Sequence, residues 1–262
     1  MAKKESPYTR ANRNRWDAIS NSYQSRHHAE LQGDLLWGPS MPLEKELRIL
    51  GPRRNKDILE VACGGGQSAV QLARKGSRVV GVDFSAKQLE FARELAKAQG
   101  VAVRFLEANA ENLSIFDDES FDIAFSAYAF GFVENTDPAF LEAWHVLRRG
   151  WLFALSWASP LYGMTEEGGL KITRSYFDRT PSVDQDEYEM EVNFARTHGD
   201  WHRDLTAAGF VVTDIVEPEP VAARKGHKPF LGTYGDAFPM AKIRTIPGTT
   251  IWRAPKPRRV ES

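Results

Sequence analysis

Two rhythms of apolar residues alternate along this chain. Near the start, Trp16, Ile19 and Tyr23 fall at i, i+3 and i+7 within residues 12–24, one face of a predicted helix. A second helical face, Leu43, Leu47 and Leu50, covers 42–50 and is stopped by Gly51-Pro52. From residue 57 the pattern changes. A short apolar strand is expected over 57–62, then a glycine loop at 63–66, a helix over 67–75 and a strand over 78–82 that ends at Asp83. Ser85 is placed to cap a helix over 86–99, which Gly100 closes. Strands follow at 101–106 and 121–127, a helix at 138–147, and a strand at 151–157.

Strands alternating with helices of this length predict a parallel sheet with helices on both faces. The rhythm breaks after Trp157. Residues 158–198 are polar and aromatic, with Tyr162, Tyr176, Phe177, Tyr188 and Phe194 among them. A long insertion in a compact α/β core is usually functional, so a cap is expected here, its rings either forming an apolar acceptor pocket or packing as an ordinary cap. A helix over 200–208 and strands over 210–216 and 249–254 complete the pattern. The expected fold is α/β: a Rossmann-like, seven-stranded, mostly parallel sheet with an N-terminal helical segment and an inserted cap after strand five. One domain is expected over 1–262, divided into the helical segment 1–50, a core 51–157, the cap 158–199 and the remaining core 200–262.

Composition narrows the classes. The chain is 42% hydrophobic and 26% charged, with a net charge of −1, where a general nucleic-acid binder is usually basic. No nucleic-acid partner is therefore expected. Cys63 is the single cysteine, which leaves no internal disulfide and no cysteine-rich metal site; no metal is expected. No apolar run approaches the ~18 residues that span a bilayer, and the basic start lacks the apolar stretch of a secretory signal. The expectation is a cytoplasmic protein without a membrane partner, monomeric or homodimeric.

The chemistry concentrates at one place. The first strand runs into Cys63-Gly64-Gly65-Gly66, where glycines let the backbone turn tightly and approach a ligand. The second strand ends at Asp83, 19 residues after Gly64 (83 − 64), placed to accept from both hydroxyls of a ribose. Together they point to an adenosine-containing cofactor. Read loosely, Gly64-x-Gly66-x-x-Ala69 also satisfies the dinucleotide fingerprint, which keeps an NAD-type oxidoreductase in play. None of the seven tyrosines has a lysine four residues on, so the Tyr-x-x-x-Lys pair of short-chain dehydrogenases is missing.

Asp57-Ile-Leu-Glu-Val-Ala-Cys-Gly-Gly-Gly-Gln67 resembles the first motif of class I S-adenosylmethionine (SAM)-dependent methyltransferases. Val79–Ser85 is similar to their second motif, Asn109-Ala110-Glu111 to the loop after strand three, Phe121–Phe125 to the start of strand four, and Val146–Gly150 to the turn before strand five. The tone is that of the ubiquinone/menaquinone-type small-molecule group, which Trp16-Asp17, Tyr23-Gln24, Pro247, Trp252 and Lys256-Pro257 also resemble.

The resemblance implies a methyltransferase that uses SAM, releases S-adenosylhomocysteine, and acts on a small-molecule acceptor by in-line displacement. Ala62, Gly64, Gly66 and Gln67 would surround the methionine end, with Ser126 and Ala127 lining it from strand four. Asp83 would hold the ribose with Gln88 nearby, and Phe84 would lie against adenine. Asn109 and the Ala110 N–H would read the adenine edge, Glu111 would also contact the cofactor, and Tyr23 would either close the amino-acid end or pack in the core. Two positions depart from the pattern: Asn109 replaces an aspartate, and Arg149-Gly150-Trp151 replaces Pro-Gly-Gly. A base is needed only where the acceptor must lose a proton; His198 is the first candidate, ahead of His202, His145 and the His27-His28 pair. The acidic run Asp184, Asp186, Glu187, Glu189 and Glu191 reads as a solvated face. Three readings stay open: a SAM-dependent methyltransferase, an NAD-type oxidoreductase and a non-catalytic SAM-binding module.

Overall fold

The computed structural model describes residues 5–27, 34–185, 189–221 and 238–258. Helix α1 (Pro7–His27) and the single turn α2 (Glu44–Leu47) precede the core. The core alternates β1 (Asp57–Val61), α3 (Gln67–Arg74), β2 (Arg78–Asp83), α4 (Ala86–Ala98), β3 (Val103–Glu107), β4 (Phe121–Ser126), α5 (Thr136–Val146) and β5 (Leu147–Ala158). A 3-10 turn at Phe130–Phe132 follows β4. Beyond β5 lie α6 (Pro160–Gly163), a hairpin of β6 (Ser182–Gln185) and β7 (Met190–Asn193), α7 (His198–Ala207), β8 (Asp214–Val216), α8 (Met240–Ile243) and β9 (Thr249–Pro255).

The main sheet has the order β3-β2-β1-β4-β5-β9-β8. Its strands run parallel except β9, which is antiparallel to both β5 and β8. This is the seven-stranded, mostly parallel sheet that the sequence pattern predicts. Among the described residues, no helix is long and apolar enough to cross a membrane.

Alternation along the strands divides the core in two. Leu59 and Val61 face one layer, with Phe140, Phe153, Trp201 and Trp252. Ile58 faces the other, with Val70, Leu89, Phe105 and Trp37. Leu59, Ile58 and Phe140 are fully buried, as strands covered on both faces require.

Local differences from the sequence reading have physical causes. The helix expected over 42–50 is one turn, because Glu44 turns inward. Its carboxylate accepts from Trp37 Nε1 at 2.9 Å and from the N–H groups of Ile49 and Leu50. The turn expected before strand five is instead a bulge inside β5, where Phe121 pairs with Leu147 but Ile123 pairs with Leu152. The Gly150 N–H there donates to Lys256 O at 2.7 Å. The strand expected over 210–216 keeps ladder geometry only at 214–216. The cap contains a hairpin that no apolar alternation announced.

Candidate active site

The site begins with the register of β1 and β2. Val61 pairs with Val82, so the strands end side by side and Gly64 lies against Asp83. The Gly64 N–H donates to Asp83 Oδ2 at 2.8 Å, and the Ser85 N–H donates to Oδ1 at 2.9 Å. Burial pushes the Asp83 carboxyl up to about 6, against the pull of those N–H groups, and the Asp17 carboxylate adds to the rise. Ser85 caps α4 as expected, its hydroxyl accepting from Gln88 N at 3.1 Å. The same hydroxyl donates to Asp17 Oδ1 at 2.6 Å, which ties α1 to the start of α4.

A cavity opens at these strand ends. Of the sequence-predicted residues, Tyr23, Ala62, Gly64, Gln67, Asp83, Phe84, Gln88, Asn109, Ala110, Glu111 and Ala127 line it. Gly66 and Ser126 do not. Gly66 (φ +72°) serves packing: a Cβ there would stand 2.6 Å from Phe105 Cζ and 2.8 Å from Ala92 Cβ. Ser126 is fully buried in β4, its hydroxyl without a protein partner. Asn109 Oδ1 accepts from the Glu111 N–H at 2.9 Å and holds its own loop, and the Glu111 carboxylate accepts from Asn135 at 3.1 Å and ties that loop to the start of α5.

The structure adds lining residues that the sequence reading passed over: Glu60, Gln24, Trp16, Phe132, Tyr128 and Glu134. Glu60 projects from β1, 4% exposed, and burial pushes its carboxyl up to about 8. Its place in the first motif was visible in the sequence; its direction was not. Trp16 packs edge-on against Tyr23 at 5.1 Å and Phe132 at 5.4 Å. Trp157 continues the row, 5.1 Å from Phe132 and 4.9 Å from Tyr128. Cys63 also lines the cavity, but burial and the neighbouring carboxylates hold its thiol well above the usual range, which makes it a poor nucleophile.

The histidine candidate is elsewhere. His198 opens α7 with its Nε2 3.0 Å from Thr250 Oγ1 and 3.3 Å from Glu217 Oε1. Burial lowers its pKa, partly offset by Glu217, and it does not line the cavity. His145 pairs with Asp118 at 3.0 Å, and His202 is exposed on α7. The side chain of His27, and all of His28, lie outside the described residues, as do Asp186, Glu187 and Tyr188.

The cap also differs from expectation. No described residue of 158–199 lines the cavity, so Tyr162, Tyr176, Phe177 and Phe194 do not form its wall. The hairpin braces α1 instead. Asn12 exchanges bonds with Val192, accepting from its N–H at 2.7 Å and donating to its carbonyl at 2.9 Å. The Phe194 N–H holds Gly131 O at 2.9 Å, so the cap supports Phe132 from behind.

Comparison with known proteins places this geometry. The methyltransferase domain family model, Methyltransf_11, matches residues 59–155. An uncharacterized methyltransferase of Bacillus subtilis, YbaJ, is 30% identical over 179 residues, covering 63% of this chain and 70% of the relative.

The chain belongs to the class I SAM-dependent methyltransferases.

A demethylmenaquinone methyltransferase of Thermus thermophilus is 39% identical over 127 residues, 47% of this chain and 56% of that protein. The tRNA 5-carboxymethoxyuridine methyltransferase of Escherichia coli is 25% identical over 146 residues, 53% and 54% of the two chains. Among solved structures, a geranyl diphosphate C-methyltransferase of Streptomyces coelicolor A3(2) shares the fold with a TM-score of 0.65 at 16% identity, over 97% of this chain and 100% of that one. Family and fold make SAM the cofactor, and the oxidoreductase reading falls away.

The cavity of this methyltransferase suits SAM. Glu60 Oε2 and Gln88 Nε2 are buried without a protein partner, one acceptor and one donor on lining residues. A ligand with an ammonium group and polar oxygens supplies their counterparts.

Proposed function

We propose that the acceptor is a small neutral molecule with a flat or apolar body, in line with the small-molecule group that the sequence resembles. The observation behind this is the character of the lining. Besides Tyr23 and Phe84, which this reading gives to the cofactor, Trp16, Tyr128 and Phe132 bring three rings to the cavity. Its acidic side chains are the carboxyl groups of Glu60, Asp83, Glu111 and Glu134, and no Lys, Arg or His is found among the described lining residues. Such a wall disfavours a polyanion such as tRNA, which binds through basic groups on its phosphates. The near-neutral net charge supports the same choice, and the free, buried Cys63 fits a reducing cytoplasm.

In this reading Asp83 accepts from the ribose hydroxyls, Phe84 lies against the adenine, and Asn109 with the Ala110 N–H reads its edge. The Gly64 backbone and Glu60 face the methionine end. When bound, the cofactor supplies a methyl group on a positively charged sulfur, open to displacement from the opposite side. The protein's part is to align the acceptor and keep water out, with α1 and the ring row forming the wall. Such alignment is worth roughly 7–11 kcal/mol in favourable cases. No histidine is found among the described lining residues, and in this reading the rate comes from positioning.

The test is methyl transfer from labelled SAM to two pools, bulk tRNA and a set of neutral aromatic and apolar small molecules. Label is expected in the small-molecule pool. Label in the tRNA would overturn the proposal.

A further inference from the structure

We infer that Gln24, on helix α1, recognises the carboxylate at the amino-acid end of the cofactor. The inference rests on the chain's binding SAM.

The amino-acid end carries an ammonium and a carboxylate. The unpartnered Glu60 Oε2 suits the ammonium. The carboxylate needs donors, and no basic side chain is found among the described lining residues. Among the described lining residues the donors are backbone N–H groups, hydroxyls, the Trp16 indole N–H and the amides of Gln24, Gln67, Gln88 and Asn109, of which Asn109 is assigned to the adenine edge.

Gln24 is 1% exposed and lies on the glycine loop. A Cβ added to Gly65 would run into its amide, so only glycine permits this approach. Its orientation is fixed from both sides. Its oxygen accepts from Gln67 Nε2, and its Nε2 donates to Gln88 Oε1 at 2.6 Å. An amide nitrogen carries two hydrogens, and Gln88 takes one. The other is free to serve a ligand beside the loop, next to the unpartnered Gln88 Nε2. Helix α1 is also pinned by Asp17, which accepts from Ser85 Oγ at 2.6 Å and Lys87 N at 3.2 Å. The amide is thus presented on a docked helix and loses little freedom on binding.

The test separates recognition from simple docking of the helix. Calorimetry would compare S-adenosylhomocysteine with 5′-methylthioadenosine, which has the nucleoside and sulfur but no amino-acid end. Gln24→Ala should weaken S-adenosylhomocysteine about ten- to a hundredfold, the range for a hydrogen bond to a charged group, and leave 5′-methylthioadenosine within about twofold. Gln24→Glu should weaken S-adenosylhomocysteine further, by placing like charges together. Equal losses for both ligands, or no loss for either, would overturn the inference while leaving the cofactor intact. A wild-type protein that binds neither ligand would overturn the cofactor and the inference together. Unchanged binding of 5′-methylthioadenosine also reports that each variant is folded.

Discussion

Asp83 accepts the Gly64 N–H at 2.8 Å, across the gap between the first two strands of the sheet. One carboxylate therefore closes the glycine loop and faces the cavity at once. Removing it should act on ligand binding before it acts on folding. Asp83→Ala is expected to cost about 1–3 kcal/mol of S-adenosylhomocysteine affinity, with the circular dichroism spectrum unchanged. Because burial holds this carboxyl near about 6, affinity should also fall as pH drops through that value, while Asp83→Asn should flatten the profile. Calorimetry across pH checks both.

Glu60 gives a stability effect of definite sign. Its pKa rises from 4.5 to about 8 on folding, and that of Asp83 from 3.8 to about 6. Over those intervals the folded chain holds protons that the unfolded chain has lost. The stability these groups contribute is present below about pH 4 and is lost as pH rises towards about 8. Melting temperature should decline across that window in the free protein. Glu60→Gln should flatten the decline and melt higher than wild type at pH 8.5.

Gly66 is a packing residue. Its Cβ position is blocked by Phe105 and Ala92, and its φ is +72°. Gly66→Ala should destabilise the fold by roughly 2–4 kcal/mol, overpacking and backbone strain together. Urea unfolding should show a lower midpoint with an unchanged slope.

Phe132 stands between Trp16 and Trp157, at 5.4 and 5.1 Å. If this row holds the acceptor, Phe132→Ala should raise the acceptor KM about tenfold or more through lost apolar contact. S-adenosylhomocysteine affinity should change much less. The ratio of the two effects is the readout.

His198 serves α7 and β9. Its Nε2 lies 3.0 Å from Thr250 Oγ1. His198→Ala should lower stability by about 1 kcal/mol and leave methyl transfer within about twofold of wild type. A large loss of kcat with unchanged stability would return this histidine to the chemistry.

The core was legible because its central strands are buried on both faces and read as short apolar runs interrupted by a single carboxylate, Glu60 in Ile58–Val61 and Asp122 in Phe121–Phe125. The hairpin at Ser182–Gln185 and Met190–Asn193 was not, since half-exposed polar strands carry no such signal. The short turn at Glu44 hid for a related reason. Leu43, Leu47 and Leu50 fit a helical face, but the buried Glu44 carboxylate captures the N–H groups of Ile49 and Leu50 and turns the chain. His198 was favoured by its place beside the insertion, and that insertion packs behind α1 instead of over the cavity.

By itself, the sequence determined the sheet, the glycine loop and the acidic partner at Asp83. These depend on contacts whose pattern is local: apolar strands of matching length, glycines where the chain must turn, and a parallel register that pairs Val61 with Val82. Tertiary structure alone decided what covers the loop. Gln24 meets Gln88 across 64 residues, and Asn12 meets Val192 across 180. Such contacts depend on how one packed face settles against another, and no spacing along the chain encodes that choice.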